Sequence, residues 1–152
     1  MSFNGGVQSD PSQVGAGEKY GDDNTIISES TFEDQLVIGR FAKIDSGSID
    51  NIDASVDPSI AGVVLRNITN PIEDGGVIDS ALFDKVDILR AGLVSVDVVT
   101  GDVPAKYGAV FVNNQATADA GKATTTDDAN TEPSNAEFIE EIQTSVWMVR
   151  LI

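Results

Sequence analysis

The stretch LVSVDVVTGDVPAKYGAVFVNN, residues 93–114, indicates the fold class of this 152-residue chain. In its first part, valines alternate with Ser95 and Asp97, which is the two-residue period of a half-buried β-strand. Gly101 and Pro104 mark a loop, and the run GAVFVNN after it predicts a second strand. Short, β-branched runs separated by turns are typical of an all-β domain.

Similar runs occur on both sides of this stretch. They are LVIGRFAKI (36–44), IAGVVLRNI (60–68), VDIL (86–89), AEFIEEI (136–142) and VWMVRLI (146–152). The last two predict a hairpin, and the final run is apolar on both faces, which predicts a central or covered strand. The short connection at 90–92 predicts another hairpin, and only 79–85 admits a short helix. We therefore predict an all-β fold, a small β-barrel or sandwich domain over residues 35–152.

Residues 1–34 differ from the rest in composition. They are rich in Gly, Ser, Asp and Asn, and their apolar residues are isolated, so we predict a flexible or extended N-terminal arm. Fully extended, such an arm reaches on the order of 100 Å. Scattered apolar anchors favour an arm that becomes ordered on a partner, and a terminus without a role is the alternative. The candidate contact residues of the arm are Phe3, Val7, Val14, Tyr20, Ile26, Ile27 and Phe32.

Charge and composition argue against several function classes. The chain has 25 acidic and 9 basic residues, a net charge of −16, and neither Cys nor His. Such a charge repels nucleic acid and anionic membranes, and no apolar run is long enough for a membrane span. Without His or Cys, and without a recognisable catalytic or nucleotide-binding motif, we predict that the protein is not an enzyme and uses no cofactor. The N-terminus lacks the features of a secretory signal, so we expect the protein to remain where it is made.

The loop IDSGSIDNIDASVDP, residues 44–58, is the one candidate for metal binding. It contains four aspartates, but an EF-hand counted from Asp45 would have Gly47 at position 3 and Val56 at position 12, so the ligand pattern fails. Aspartates also favour turns. We interpret the loop as a solvated turn and predict no metal site, with a calcium site completed by other loops as the alternative.

Four segments together resemble a known family. They are VIGRFAKIDSGSIDNIDASVDPSIAGVVLRN (37–67), PIEDGGVID (71–79), the stretch 93–114 and NAEFIEEIQTSVWMVRLI (135–152). Over residues 36–152 the chain resembles the structural cement, or decoration, proteins of tailed bacteriophage capsids. The resemblance implies a small β-barrel-like domain on the outer capsid surface of the virion, made in the host cytoplasm and associated as a homotrimer. It implies no catalytic or metal-binding residues.

The function expected from this resemblance is to clamp neighbouring subunits of the phage major capsid protein and so stabilise the shell. The alternative is a virion-surface module that binds glycans for host adhesion. A glycan site usually needs exposed aromatic rings, and the single tryptophan, Trp147, lies in a strand predicted to be covered.

Overall fold

The computed structural model describes residues 16–53, 58–66, 76–80 and 83–152. These residues form eleven strands and no helix, so the predicted all-β class is confirmed. Nine strands form one sheet that curls into a half-barrel, and β2 and β6 form a small second sheet. The strands are β1 (Lys19–Glu29), β2 (Leu36–Val37), β3 (Phe41–Asp45), β4 (Ser48–Asn51), β5 (Ile60–Val64), β6 (Val77–Ile78), β7 (Val86–Asp97), β8 (Ala109–Asn113), β9 (Ala123–Thr124), β10 (Thr131–Gln143) and β11 (Val146–Leu151). The described residues contain no helix of the length and hydropathy needed to cross a membrane.

Strand β7 organises the large sheet because other strands pair along both of its edges. Strand β1 pairs along one edge. On the opposite edge β5 pairs at Ile88 and Leu89, and β11 pairs from Gly92 onward. The sheet therefore forks between β5 and β11, where β7 passes through Arg90 and Ala91.

The sheet continues in the order β4-β3-β5-β7-β11-β10-β8-β9. It curls far enough for β9 to meet the chain just after β7, where a parallel bridge joins Ala123 to Val98. The hairpin predicted near the end of the chain is present, with Ser145 in the left-handed region at φ 62°. The predicted central position of the final strand is confirmed, since β11 lies between β7 and β10.

Two apolar clusters form the core. One lies between β7, β8, β10 and β11 and contains Val94, Val96 and Phe138, and the other contains Leu36 and Ile88. The predicted valine alternation in β7 is correct. Ser95 on its opposite face is nevertheless fully buried, because the chain just before β1 covers that face.

The hairpin predicted at 90–92 is wrong, because β7 runs unbroken through this segment. Gly92, at φ 125°, makes room for a bulge in the neighbouring strand β1. A Cβ on Gly92 would lie 2.0 Å from Oδ1 of Asn24, which accepts a hydrogen bond from the Leu93 N–H at 3.2 Å. The glycine thus allows a close approach between strands, whereas the sequence suggested a turn. The short helix considered at 79–85 is also absent from the described residues of that segment.

The second half of the predicted arm is part of the sheet in the structure. Residues 19–29 form β1 and pair with β7, and Phe32 makes a parallel bridge to Ile49. The register of β1 shifts twice between Tyr20 and Ile26, so the apolar residues of this strand do not alternate. The sequence therefore lacks the two-residue period by which a strand is predicted. The first fifteen residues of the predicted arm lie outside the described ranges.

Candidate interaction surfaces

The predicted contact residues of the arm fall into two groups. Phe3, Val7 and Val14 lie outside the described residues. The other four belong to β1 or to the bridge that follows it. Ile27 and Phe32 pack against the second core cluster.

Tyr20 and Ile26 complete this second group. Tyr20 is half-buried, and burial raises the pKa of its hydroxyl although the Ser95 side chain opposes the shift. Ile26 has an exposed fraction of 38 %. Among the described candidates, Ile26 is therefore the side chain most accessible to a partner.

A short segment, Ala16–Glu18, precedes β1, and we call it the root; Ala16 and Gly17 are buried and Glu18 is half-buried. The Gly17 N–H donates to the Ser95 carbonyl at 2.7 Å, and the Gly17 carbonyl accepts from the Arg66 N–H at 2.9 Å. Glu18 extends the pairing, because its carbonyl accepts from the Ser95 N–H at 2.9 Å and its N–H donates to the Ser95 hydroxyl at 3.1 Å. The root is thus bonded on two sides to the body of the domain.

The root fits closely against Gly39. This glycine has φ 82°, and a Cβ on it would lie 2.1 Å from the Cβ of Ala16. A Cβ on Gly17 would lie 2.4 Å from Cγ2 of Ile38. Real Cβ atoms do not approach other atoms so closely, so Gly39 and Gly17 are the residues that let the two segments cross.

Charged side chains surround the root. Glu18 pairs with Arg66 at 3.2 Å, and Asp97 pairs with Arg40 at 3.6 Å. Burial raises the pKa of Glu18 although Arg66 opposes the shift, and burial likewise raises the pKa of Asp97 against the opposing charges of Arg40 and Lys122. For both carboxyl groups the loss of solvation therefore affects the pKa more than the ion pair does.

In the described part of the acidic loop, residues 44–51 belong to the hairpin of β3 and β4. Lys43, which is buried, lies with its Nζ 3.0 Å from Asp53 and 3.9 Å from Asp45. Asp57 lies outside the described ranges. Within those ranges there is no group of three acidic residues placed to hold a metal ion, and Asp45 and Asp53 neutralise a lysine.

A different part of the molecule presents apolar side chains to solvent. We call it the Ile152 surface and define it by the exposed residues Tyr107, Ala109, Pro133 and Ile152. The exposed fraction is 80 % for Ile152 and 64 % for Tyr107. Ile152 borders a depression of about 380 Å³ that also contains Tyr107 and Ala109, and a second of about 440 Å³ at the fork between β5 and β11. No signal in the sequence distinguishes these residues from core residues, because their exposure depends on the fold.

The single tryptophan packs against the first core cluster. Trp147 is half-buried and meets Phe138 edge to face, with ring centroids 5.6 Å apart and an interplanar angle of 78°. This is the geometry of a packed aromatic pair.

Comparison with known proteins supports a structural role. Residues 3–151 match the family described as "Structural cement protein (E217 gp24/Pam3 gp6)". A chain of the solved structure described as "The capsid of Myoviridae Phage XM1" is 33 % identical, with a TM-score of 0.87, and the match covers 99 % of this chain and 98 % of that chain. No curated protein matches the chain. The chain therefore belongs to the structural cement protein family and has a structural, capsid-stabilising role in the virion.

Proposed function

We propose that this protein binds the outside of a phage shell as a homotrimer and clamps neighbouring subunits of the major capsid protein. The observation that carries the proposal is the family match over residues 3–151, which includes most of the predicted arm as well as the sheet. The proposed role requires adhesion and no chemical reaction, in agreement with the absence of His and Cys from the chain.

The mechanism we propose is adhesive. Phe3, Val7 and Val14 insert into apolar pockets on the shell, with Ile26 as a further contact at the edge of the sheet. Several such contacts on one trimer act together, so their combined affinity exceeds that of any single contact. Because the trimer binds the assembled shell and not its separated subunits, it stabilises the assembled state.

The root supports this mechanism because it is a fixed origin for the residues before it. Its backbone is bonded to Ser95 and Arg66, and it is closed in by Gly39. A contact made before residue 16 is therefore connected to the sheet through the root. We propose that this connection lets contacts of the arm hold the whole domain on the shell.

The charge of the molecule fits a position on the outside of the particle, with synthesis in the host cytoplasm. At −16 the chain repels the packaged nucleic acid. We accordingly propose the major capsid protein and other copies of this chain as the partners, and neither nucleic acid nor a membrane.

The test is to mix the protein with undecorated shells and to measure bound density and the temperature at which the shells disrupt. We expect the wild-type protein to bind and to raise that temperature. The double variant Phe3→Ala/Val7→Ala should bind more weakly. The control is Val103→Ala, which truncates a side chain with an exposed fraction of 86 % in the loop between β7 and β8. Absence of bound density, together with an unchanged disruption temperature for the wild-type protein, would contradict the proposal.

A further inference from the structure

The Ile152 surface has the shape of a contact site. Ile152 lines two depressions of about 380 and 440 Å³, and it also lines a third of about 530 Å³ beside the bulge of β1. The side chains around it include Ala109, Pro133 and Ile60. An exposed apolar side chain that borders several hollows can be covered by a partner surface.

The charged side chains around this surface are nearly balanced in sign, unlike those of the chain as a whole. Among the described residues that border the three depressions or stack on Tyr107, three are cations and four are carboxylates, whereas the chain has 9 basic and 25 acidic residues. They are Arg90, Lys106, Arg150, Asp22, Asp23, Glu132 and Glu137.

Two of these charged side chains form an ion pair, and a third lies over an aromatic ring of the Ile152 surface. Arg150 pairs with Glu137 at 3.0 Å. The Nζ of Lys106 lies 5.1 Å from the ring centroid of Tyr107, so this cation stacks on the aromatic ring. The depression between Tyr107 and Ile152 therefore lacks the excess of negative charge found over the chain.

This balance bears on which partner the surface can accept. Two copies that each carry −16 repel each other over most approaches. They can approach with the least repulsion where acidic and basic groups are balanced and where apolar side chains can be buried together. We infer that the Ile152 surface is the contact between copies of this chain, an inference that deepens the homotrimer in the proposed function and rests on it.

The surface offers the two kinds of patch that a ring of three copies needs. A trimer requires a heterologous contact, in which one patch of each copy meets a different patch of the next. Ile152 supplies a projecting side chain, and the depression between Tyr107 and Ala109 or the fork beside Arg90 supplies a hollow. Ile152 of one copy would enter a hollow on the neighbouring copy.

The experiment is to measure the molar mass of the full-length protein by light scattering over a range of concentrations. We expect three chains for the wild-type protein and an increase of at least about tenfold in the dissociation constant for the double variant Tyr107→Glu/Ile152→Glu. The matched control is Val103→Glu/Gln115→Glu, which adds the same two negative charges at exposed residues that border none of the three depressions. This variant should keep the mass of the wild-type protein.

A wild-type protein that remains monomeric at all concentrations would overturn the inference, as would a double variant that associates as the wild type does. Far-UV circular dichroism spectra of all three proteins, expected to be equal, show whether each variant is folded. The shell assay separates this inference from the proposed function. If the wild-type protein stabilises shells but the double variant associates normally, the contact between copies lies elsewhere and the cement role stands. If the wild-type protein forms trimers but does not bind shells, the proposed function fails.

Discussion

The root and the Ile152 surface both contain small or apolar residues, yet they differ in whether other parts of the same chain cover those residues. At the root, Ala16–Glu18 is enclosed by Gly39 and by backbone bonds to Ser95 and Arg66. At the Ile152 surface, comparable side chains are left open to solvent. A closed contact contributes to the stability of the fold, whereas an open one can contribute only when a partner covers it. Substitutions at the two regions should therefore affect different measurements.

The largest expected effect on folding is that of Gly39→Ala. Its new Cβ would displace Ala16, and the residue would also need a left-handed backbone conformation. The control is Gly47→Ala, since Gly47 has a similar φ of 85° with open space around it. We expect Gly47→Ala to lower the free energy of unfolding by about 1 kcal/mol. Gly39→Ala should cost about 1–3 kcal/mol more, as measured by urea denaturation.

Hydrogen exchange would locate the damage in the Gly39 variant. The Arg66 and Ser95 N–H groups donate to the root, so their protection should fall more in Gly39→Ala than in Gly47→Ala. Equal protection of these two amides in both variants would show that the root is not held by close packing against Gly39.

The next effect in size is that of Ser95→Ala. The substitution removes the buried hydroxyl that accepts the Glu18 N–H, and an unsatisfied buried donor costs about 1–2 kcal/mol. Ser28→Ala, which removes an exposed hydroxyl bonded to Asp87, should change the free energy of unfolding by less than about 0.5 kcal/mol. Equal stabilities for the two variants in denaturant titrations would contradict the role assigned to Ser95.

A smaller effect should appear in the pH dependence of stability. The pKa of Glu18 is raised in the folded protein, so the folded state binds its proton more readily. The contribution of Glu18 to stability therefore increases as the pH falls from neutral through this raised pKa, and it is complete below the ordinary pKa. The difference in unfolding temperature between the wild type and Glu18→Gln should shift in favour of the wild type between pH 7 and pH 4.5, the ordinary value.

Asp34 provides a control of opposite sign. It accepts hydrogen bonds from Ser80, and these lower its pKa. Its contribution to stability is present above its ordinary pKa and is lost as the pH falls through the lowered value. Relative to Asp34→Asn, the wild type should therefore lose stability on acidification. If the stability difference between the wild type and each variant changed in the same direction on acidification, a raised pKa at Glu18 and a lowered pKa at Asp34 could not both be correct.

The smallest effect on folding is expected at the Ile152 surface. Tyr107→Glu should change the free energy of unfolding of the isolated chain by less than about 0.5 kcal/mol, because the ring is largely exposed. If calorimetry at low protein concentration showed a loss as large as that of Gly39→Ala, Tyr107 would belong to the fold and the contrast between the two regions would disappear.

Much of the sheet could be predicted from local patterns. The valines of β7 and the hairpin of β10 and β11 have the periodicity and turn spacing that the structure shows. Two of the errors occurred where a glycine has a tertiary role. Gly92 suggested a turn but makes room for Asn24, and Gly39 lies inside a run predicted as one strand but separates β2 from β3. A glycine inside a strand pattern is a signal of close backbone approach, but the partner of that approach is distant in sequence.

The candidate surfaces were less predictable than the fold. Strand β1 is held mainly by backbone pairing, which does not require a regular order of apolar and polar side chains that could be recognised in the sequence. Exposure of Tyr107 and Ile152 depends on which neighbours the sheet brings to them. The prediction of membership in the cement family did not depend on the pairing of β1 or on the exposure of single residues. The match over residues 3–151 confirms it.

The fork in the sheet has a mechanical consequence. At Arg90 and Ala91, β5 no longer pairs with β7 and β11 has not yet begun to pair with it, so on this edge β7 lacks a paired strand, and only β1 pairs with it there, on the opposite edge. We expect this joint to twist more easily than the rest of the sheet, which would let one sequence fit sites of differing curvature on a single particle. Slower hydrogen exchange of these two amides on shells than in solution would support such a hinge, and equal rates would argue against it.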